Sequence, residues 1–186
     1  MKNPLVILGL LCLFLLAYGL SVPQHVEAQD HTSTMNLSAM AVEQAPTVSP
    51  QFIDHVLCEN TSPACGTGGQ LYSDGVDNHI DPVFALAFFQ HESTFGRYGV
   101  AAATRGLGNI RCSVGYACKY GFRAYKTWQD GYIDWYKLIA YYVQVWHKST
   151  VDEIVPTYAP SSENDTANYI QSIKAAVSEW RGEVVR

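Results

Sequence analysis

The sequence is short of charge. Only 16% of its 186 residues are charged, and acids outnumber bases, for a formal net charge of −5. That balance argues against nucleic acid, which would call for a basic face. It also excludes electrostatic capture by acidic membranes or anionic polymers as the main binding force. Metal-ligand patterns are missing too: His55, His79, His91 and His147 are scattered, with no pair at ligand spacing, so neither metal nor cofactor is expected. No segment alternates apolar and polar residues over a useful length, which points away from sheet and toward a mainly α fold. There is no internal repeat, and the length leaves no room for a second domain. One lack is local: residues 97–125 contain no Asp or Glu.

Apolar matter is plentiful. Hydrophobic residues make up 48% of the chain and aromatics 12%, enough for a sizeable core. Residues 1–28 read as a signal peptide, with Lys2 before the apolar run Leu5–Leu20. Val26 and Ala28 are placed like a cleavage signature, so cleavage after Ala28 is expected. If that segment is not cleaved, it is long enough to anchor the chain in a membrane. Residues 29–49 are rich in Ser, Thr, Gln, Ala and Pro and read as a flexible linker. The folded domain is expected over 50–186.

Export changes how the cysteines are read. Beyond the leader these are Cys58, Cys65, Cys112 and Cys118, and four cysteines allow three pairings. Proximity favours Cys58–Cys65 and Cys112–Cys118 as disulfides that staple irregular loops. The alternative, a four-cysteine zinc site, would have spacings wider than such sites usually show.

Six helices are legible after Ser49. The first opens at Gln51. A second falls within 69–79, weakened by Gly75. The third is Asp81–Gly96, where Asp81 and Pro82 suit a helix start and Gly96 a stop. Thr127 and Asp130 form a capping box for a long helix to about Trp146, with Ile133, Tyr136, Ala140 and Val143 on its stripe. The last helix spans 166–181. A short helix opens at Thr150, limited or kinked by Pro156. Residues 97–125 have five glycines and no helical period, and a stretch so irregular inside a compact domain is usually functional.

Asp81–Gly96 organises the chain. Val83–Phe89 is apolar without a break, so this part should be buried all round. Polarity then returns abruptly, and the helix delivers one carboxylate, Glu92, in its last turn. Aromatic neighbours and the negative helix end both disfavour its charged form, as a general acid at neutral pH requires. The structural alternative is a surface glutamate paired with Arg97 or Arg105. Ser93 has no His–Asp arrangement to make it a nucleophile.

The run His91-Glu-Ser-Thr-Phe-Gly96 resembles the Glu-Ser-x-Phe element of lysozyme-like muramidases and lytic transglycosylases. The longer pattern resembles the glucosaminidase branch, glycoside hydrolase family 73 and its relatives. It comprises Ile80–Ala87, Gly108-Asn-Ile110, Gly121-Phe-Arg-Ala-Tyr125 with Trp128 and Asp130, Tyr158-Ala-Pro160, Glu163-Asn-Asp165 and Tyr169. It covers roughly residues 50–182.

The resemblance implies a lysozyme-like domain and an exported, monomeric hydrolase that cuts peptidoglycan glycan strands at N-acetylglucosaminyl bonds. By it, Glu92 matches the catalytic acid and Tyr158 a catalytic tyrosine near the active site, whose phenol is expected to orient water or stabilise the developing positive charge, with a core aromatic in a turn as the alternative. Asn109, Arg123, Tyr125, Trp128 and Glu163 are the expected substrate-binding residues. Arginine suits acidic peptide or lactyl groups, with a structural bridge as the alternative for Arg123. A second carboxylate is not obvious; Asp130, Glu163 and Asp165 are the candidates, and the latter two also suit a helix start. A muramidase, a lytic transglycosylase and a non-catalytic glycan-binding module are the rival readings.

Overall fold

The structure is a computed structural model that describes residues 40–184. The expected leader and the first part of the linker lie outside these residues. Among the described residues the fold is mainly helical, with seven helices and one two-stranded hairpin. None of these helices is long and apolar enough to cross a membrane.

α1 (Pro50–Glu59) starts where Ser49 Oγ accepts the Phe52 N–H at 3.1 Å, and it buries Ile53, Val56 and Leu57. α2 (Gly68–Asp77) is capped from its neighbour. Asp54 on α1 accepts the Gly66 and Gly68 N–H groups at 2.8 and 3.1 Å. Gly75 strengthens the packing here: a Cβ would come within 2.7 Å of the Pro82 ring. The missing side chain is what lets α2 approach the start of α3.

α3 (Pro82–Ser93) is the pillar. Every residue from Pro82 to Phe89 is buried. Phe88 and Phe89 each meet Trp135 edge-on at 5.3 Å, and Phe89 stacks on Tyr132 at 5.7 Å. These partners lie on α5 (Trp128–Gln144), which starts with the expected Thr127–Asp130 capping box. α5 buries Tyr132, Trp135, Tyr136, Ile139 and Val143, whereas Ile133, expected on the buried stripe, is exposed, as is Trp146 just beyond the helix. α6 (Val151–Tyr158) carries Pro156 within it, where proline donates no backbone hydrogen bond, and ends two residues later. α7 (Thr166–Val184) packs along α3 and α6, and Asp165 accepts the Asn168 N–H at its start.

Two expectations change. Residues 40–49 belong to the fold, not to a tether. Val42 is 1% exposed, and backbone bridges join Ala41 to Thr150 and Glu43 to Ile80. The fastening point is Asp81, which is fully buried. Its carboxylate accepts the Val83 N–H as α3's cap, the Thr47 N–H and hydroxyl, and Arg181 from α7 at 2.9 Å. The irregular stretch also has some regular structure: a one-turn α4 (Ala101–Thr104), then β1 (Cys118–Lys119) paired antiparallel with β2 (Phe122–Arg123). Cys58–Cys65 and Cys112–Cys118 are both bonded, which fits maturation in an oxidising compartment.

Candidate active site

The end of α3 is built around Ser93. Its hydroxyl donates to the Leu107 carbonyl at 2.9 Å and accepts the Gly96 N–H at 2.9 Å. Buried and fully engaged, it pins the 105–110 loop against the helix end. The chain leaves α3 through three residues with positive φ, Thr94, Phe95 and Gly96, so the helix stops at Ser93 and not at Gly96. This sharp exit sets Glu92 at the lip of the buried core.

Glu92 is held from two sides. Tyr169 of α7 donates its hydroxyl to Oε1 at 2.6 Å. Asn109 donates from Nδ2 to the Glu92 carbonyl at 2.8 Å and to Oε2 at 3.3 Å. Asn109 adopts φ 46°, a left-handed conformation that asparagine tolerates and that turns its amide onto the acid. Burial raises the Glu92 pKa above the usual carboxylate range. The Tyr169 and Asn109 hydrogen bonds and the charge of Arg111 oppose that rise without cancelling it. Arg97 and Arg105 are elsewhere: Arg97 lies over Tyr98, and Arg105 donates to the Lys126 carbonyl.

The rings beneath the acid form one cluster. Phe88 meets Tyr158 edge-on at 5.3 Å and Tyr169 at 5.6 Å. His91, an exposed residue, stacks on Tyr169 at 3.8 Å, and partial desolvation lowers its pKa, favouring the neutral imidazole.

Glu92 opens into a groove of about 460 Å³ that is lined also by Asn109, Arg111, Tyr142, Tyr158 and Glu163. One wall is the 109–113 loop with the hairpin residues Phe122 and Arg123, and the other is 157–164. A more open hollow of about 400 Å³ near Glu43 and His79 contains no buried acid or aromatic ring.

The sequence-derived residues fall into distinct positions. Asn109, Arg123, Tyr158 and Glu163 line the groove with Glu92. Tyr158 does not point a usable hydroxyl at a reacting centre: that group donates to the Gly108 carbonyl. Burial and the nearby Glu92 keep its pKa well above the usual phenol value. Arg123 takes its structural alternative. Nη1 donates to both Asp134 oxygens at 3.1 and 2.9 Å, and Nη2 to Ser113 at 2.8 Å. Tyr125 lies outside the groove lining and donates to the same Asp134 at 2.6 Å. Trp128 is also outside it, packed over Gly96 at the start of α5.

The candidate second carboxylates separate in the same way. Asp130 caps α5 and Asp165 caps α7, which leaves Glu163 as the second carboxylate of the groove. Glu163 accepts from Arg111 at 2.5 Å across the two walls.

Sequence reasoning did not find Arg111 or Asp134 as site residues. Tyr169 was legible only as a core position and as part of the resemblance. The sequence pattern around Asp134 gives no sign of its role, and Arg111 had only its place directly after Gly108-Asn-Ile110 to mark it. Chemically, the site offers one aromatic-backed carboxyl group with a raised pKa, facing a groove wide enough for a sugar unit. Among the described residues, no three His, Cys, Asp or Glu side chains converge on a metal-sized site. No protein-family model and no curated protein matches this chain.

Proposed function

We propose that the chain is an exported, lysozyme-like peptidoglycan hydrolase of glucosaminidase type, cleaving glycan strands at N-acetylglucosaminyl bonds with Glu92 as general acid. The observation that carries this reading is the placement of Glu92. It is a half-buried carboxyl with a raised pKa, fixed by Tyr169 and Asn109, at the floor of the groove. A raised pKa keeps more of the carboxyl protonated as pH rises, which favours protonation of a leaving glycosidic oxygen. The motif order around Glu92 supplies the family.

The Tyr158 hydroxyl donates to Gly108, so the phenol expected to stabilise charge is already engaged. In this reading the developing positive charge is stabilised by the substrate. Its acetamido carbonyl acts as internal nucleophile, a known exception to the two-carboxylate scheme. Mass spectrometry of the products tests the assignment. Reducing ends on glucosamine are expected. Reducing ends on muramic acid would move the reading to a muramidase, anhydro ends to a lytic transglycosylase, and binding without fragments to a non-catalytic module.

A further inference from the structure

The groove has two cationic side chains in its lining, Arg111 and Arg123, and they differ in availability. The Arg123 side chain is 13% exposed and divides its donors between Asp134 and Ser113. Its guanidinium also lies 3.6 Å from the Tyr116 ring, so it is committed to holding the hairpin. Arg111 is different. Its side chain is 69% exposed, and its hydrogen-bonded partner Glu163 is 54% exposed. An exposed ion pair contributes little net stability, because water competes for both charges. The Phe122 ring, 5.1 Å from the guanidinium, steadies Arg111 from one face. The planar fork can therefore trade one carboxylate for another at small cost.

We propose that Arg111 is a carboxylate-binding subsite, occupied by Glu163 in the empty groove and taken over by an acidic group of the bound glycan strand. The proposal rests on the reading of the groove as a glycan site and names the feature that selects the strand. A saccharide with a carboxylate near the bond facing Glu92 would bind better than a neutral one of equal length. The carboxylate has two possible sources, the acidic ether substituent of the sugar or the attached stem peptide. Glu163 is then a competitor for Arg111, so the two members of the pair should have opposite effects on binding.

The test measures dissociation constants in the Glu92→Gln background, where cleavage does not interfere. Three probes of equal length are titrated: a neutral N-acetylglucosamine oligomer, a peptide-free strand with free lactyl carboxylates, and a strand whose lactyl groups are amide-linked to carboxylate-bearing peptide. One or both acidic strands should bind more tightly than the neutral oligomer, and which one does identifies the source. Adding Arg111→Gln should reduce that preference about tenfold or more. Adding Glu163→Gln should tighten the acidic strand several-fold. A purely structural ion pair would make both variants weaken binding together, with no change in preference. That result, or equal affinity for all three probes, or no binding to any, would overturn the proposal. Cleavage by the unmodified protein is scored separately: selectivity without cleavage rejects the glycosidase reading and leaves the Arg111 subsite standing.

Discussion

The Tyr169 hydroxyl donates to Glu92 Oε1 at 2.6 Å, joining α7 to the end of α3. That hydrogen bond favours the carboxylate form and so partly opposes the effect of burial. Tyr169→Phe should remove this restraint. The Glu92 pKa should then rise further, and the acid should stay protonated to higher pH. The high-pH limb of the rate profile is expected to move upward. At the same time kcat should fall by about tenfold to a hundredfold, because the carboxyl loses a positioning contact. A limb that stays in place or moves down would contradict the assignment.

Glu92 should also reduce stability at neutral pH. Its folded-state pKa lies above the unfolded value of 4.5. For a carboxyl shifted in that direction, the favourable contribution of the protonated form is complete below the unfolded pKa and is lost as pH rises through the folded one. Glu92→Gln should therefore match the parent near about pH 3.5. At pH 7 it should be more stable than the parent. Denaturant titrations of both proteins at the two pH values check this. An equal difference at both would show that Glu92 is not perturbed.

Asp81 joins three parts of the chain: the 40–49 arm through Thr47, the start of α3 through the Val83 N–H, and α7 through Arg181. It is fully buried. Removing one partner of a buried ion pair is expensive, so Asp81→Ala should cost about 3 kcal/mol or more. A urea midpoint measurement reads it. A loss below about 1 kcal/mol would mean that the arm and cap contribute little, as for a surface pair.

The elements with strong local signals were legible in the sequence. Asp81-Pro82 marked the start of α3, the unbroken Val83–Phe89 run its all-round burial, and Thr127 with Asp130 the start of α5. The two disulfides followed from proximity. What was not legible depends on distant partners. Val42 and Val48 are isolated apolar residues in a Ser- and Pro-rich stretch, and both are buried although no period marks them; the backbone bridges Ala41–Thr150 and Glu43–Ile80 fasten this arm. Arg123 and Tyr125 read as substrate contacts through the resemblance, and nothing in the sequence marked their shared partner, Asp134 on α5. The position of Glu92 could be argued from its helix and the preceding phenylalanines. Its hydroxyl partner, Tyr169, comes from a helix 77 residues away.

The central claim is that Glu92 supplies the proton for glycan cleavage. The most direct measurement compares soluble muropeptide release from purified peptidoglycan by the parent and by Glu92→Gln at pH 7. Circular dichroism melts should be run alongside to show that both are folded. Steady release by the parent and a loss of at least about a hundredfold in the variant are expected, within the usual range for a general acid. Equal release by the two folded proteins would contradict the claim.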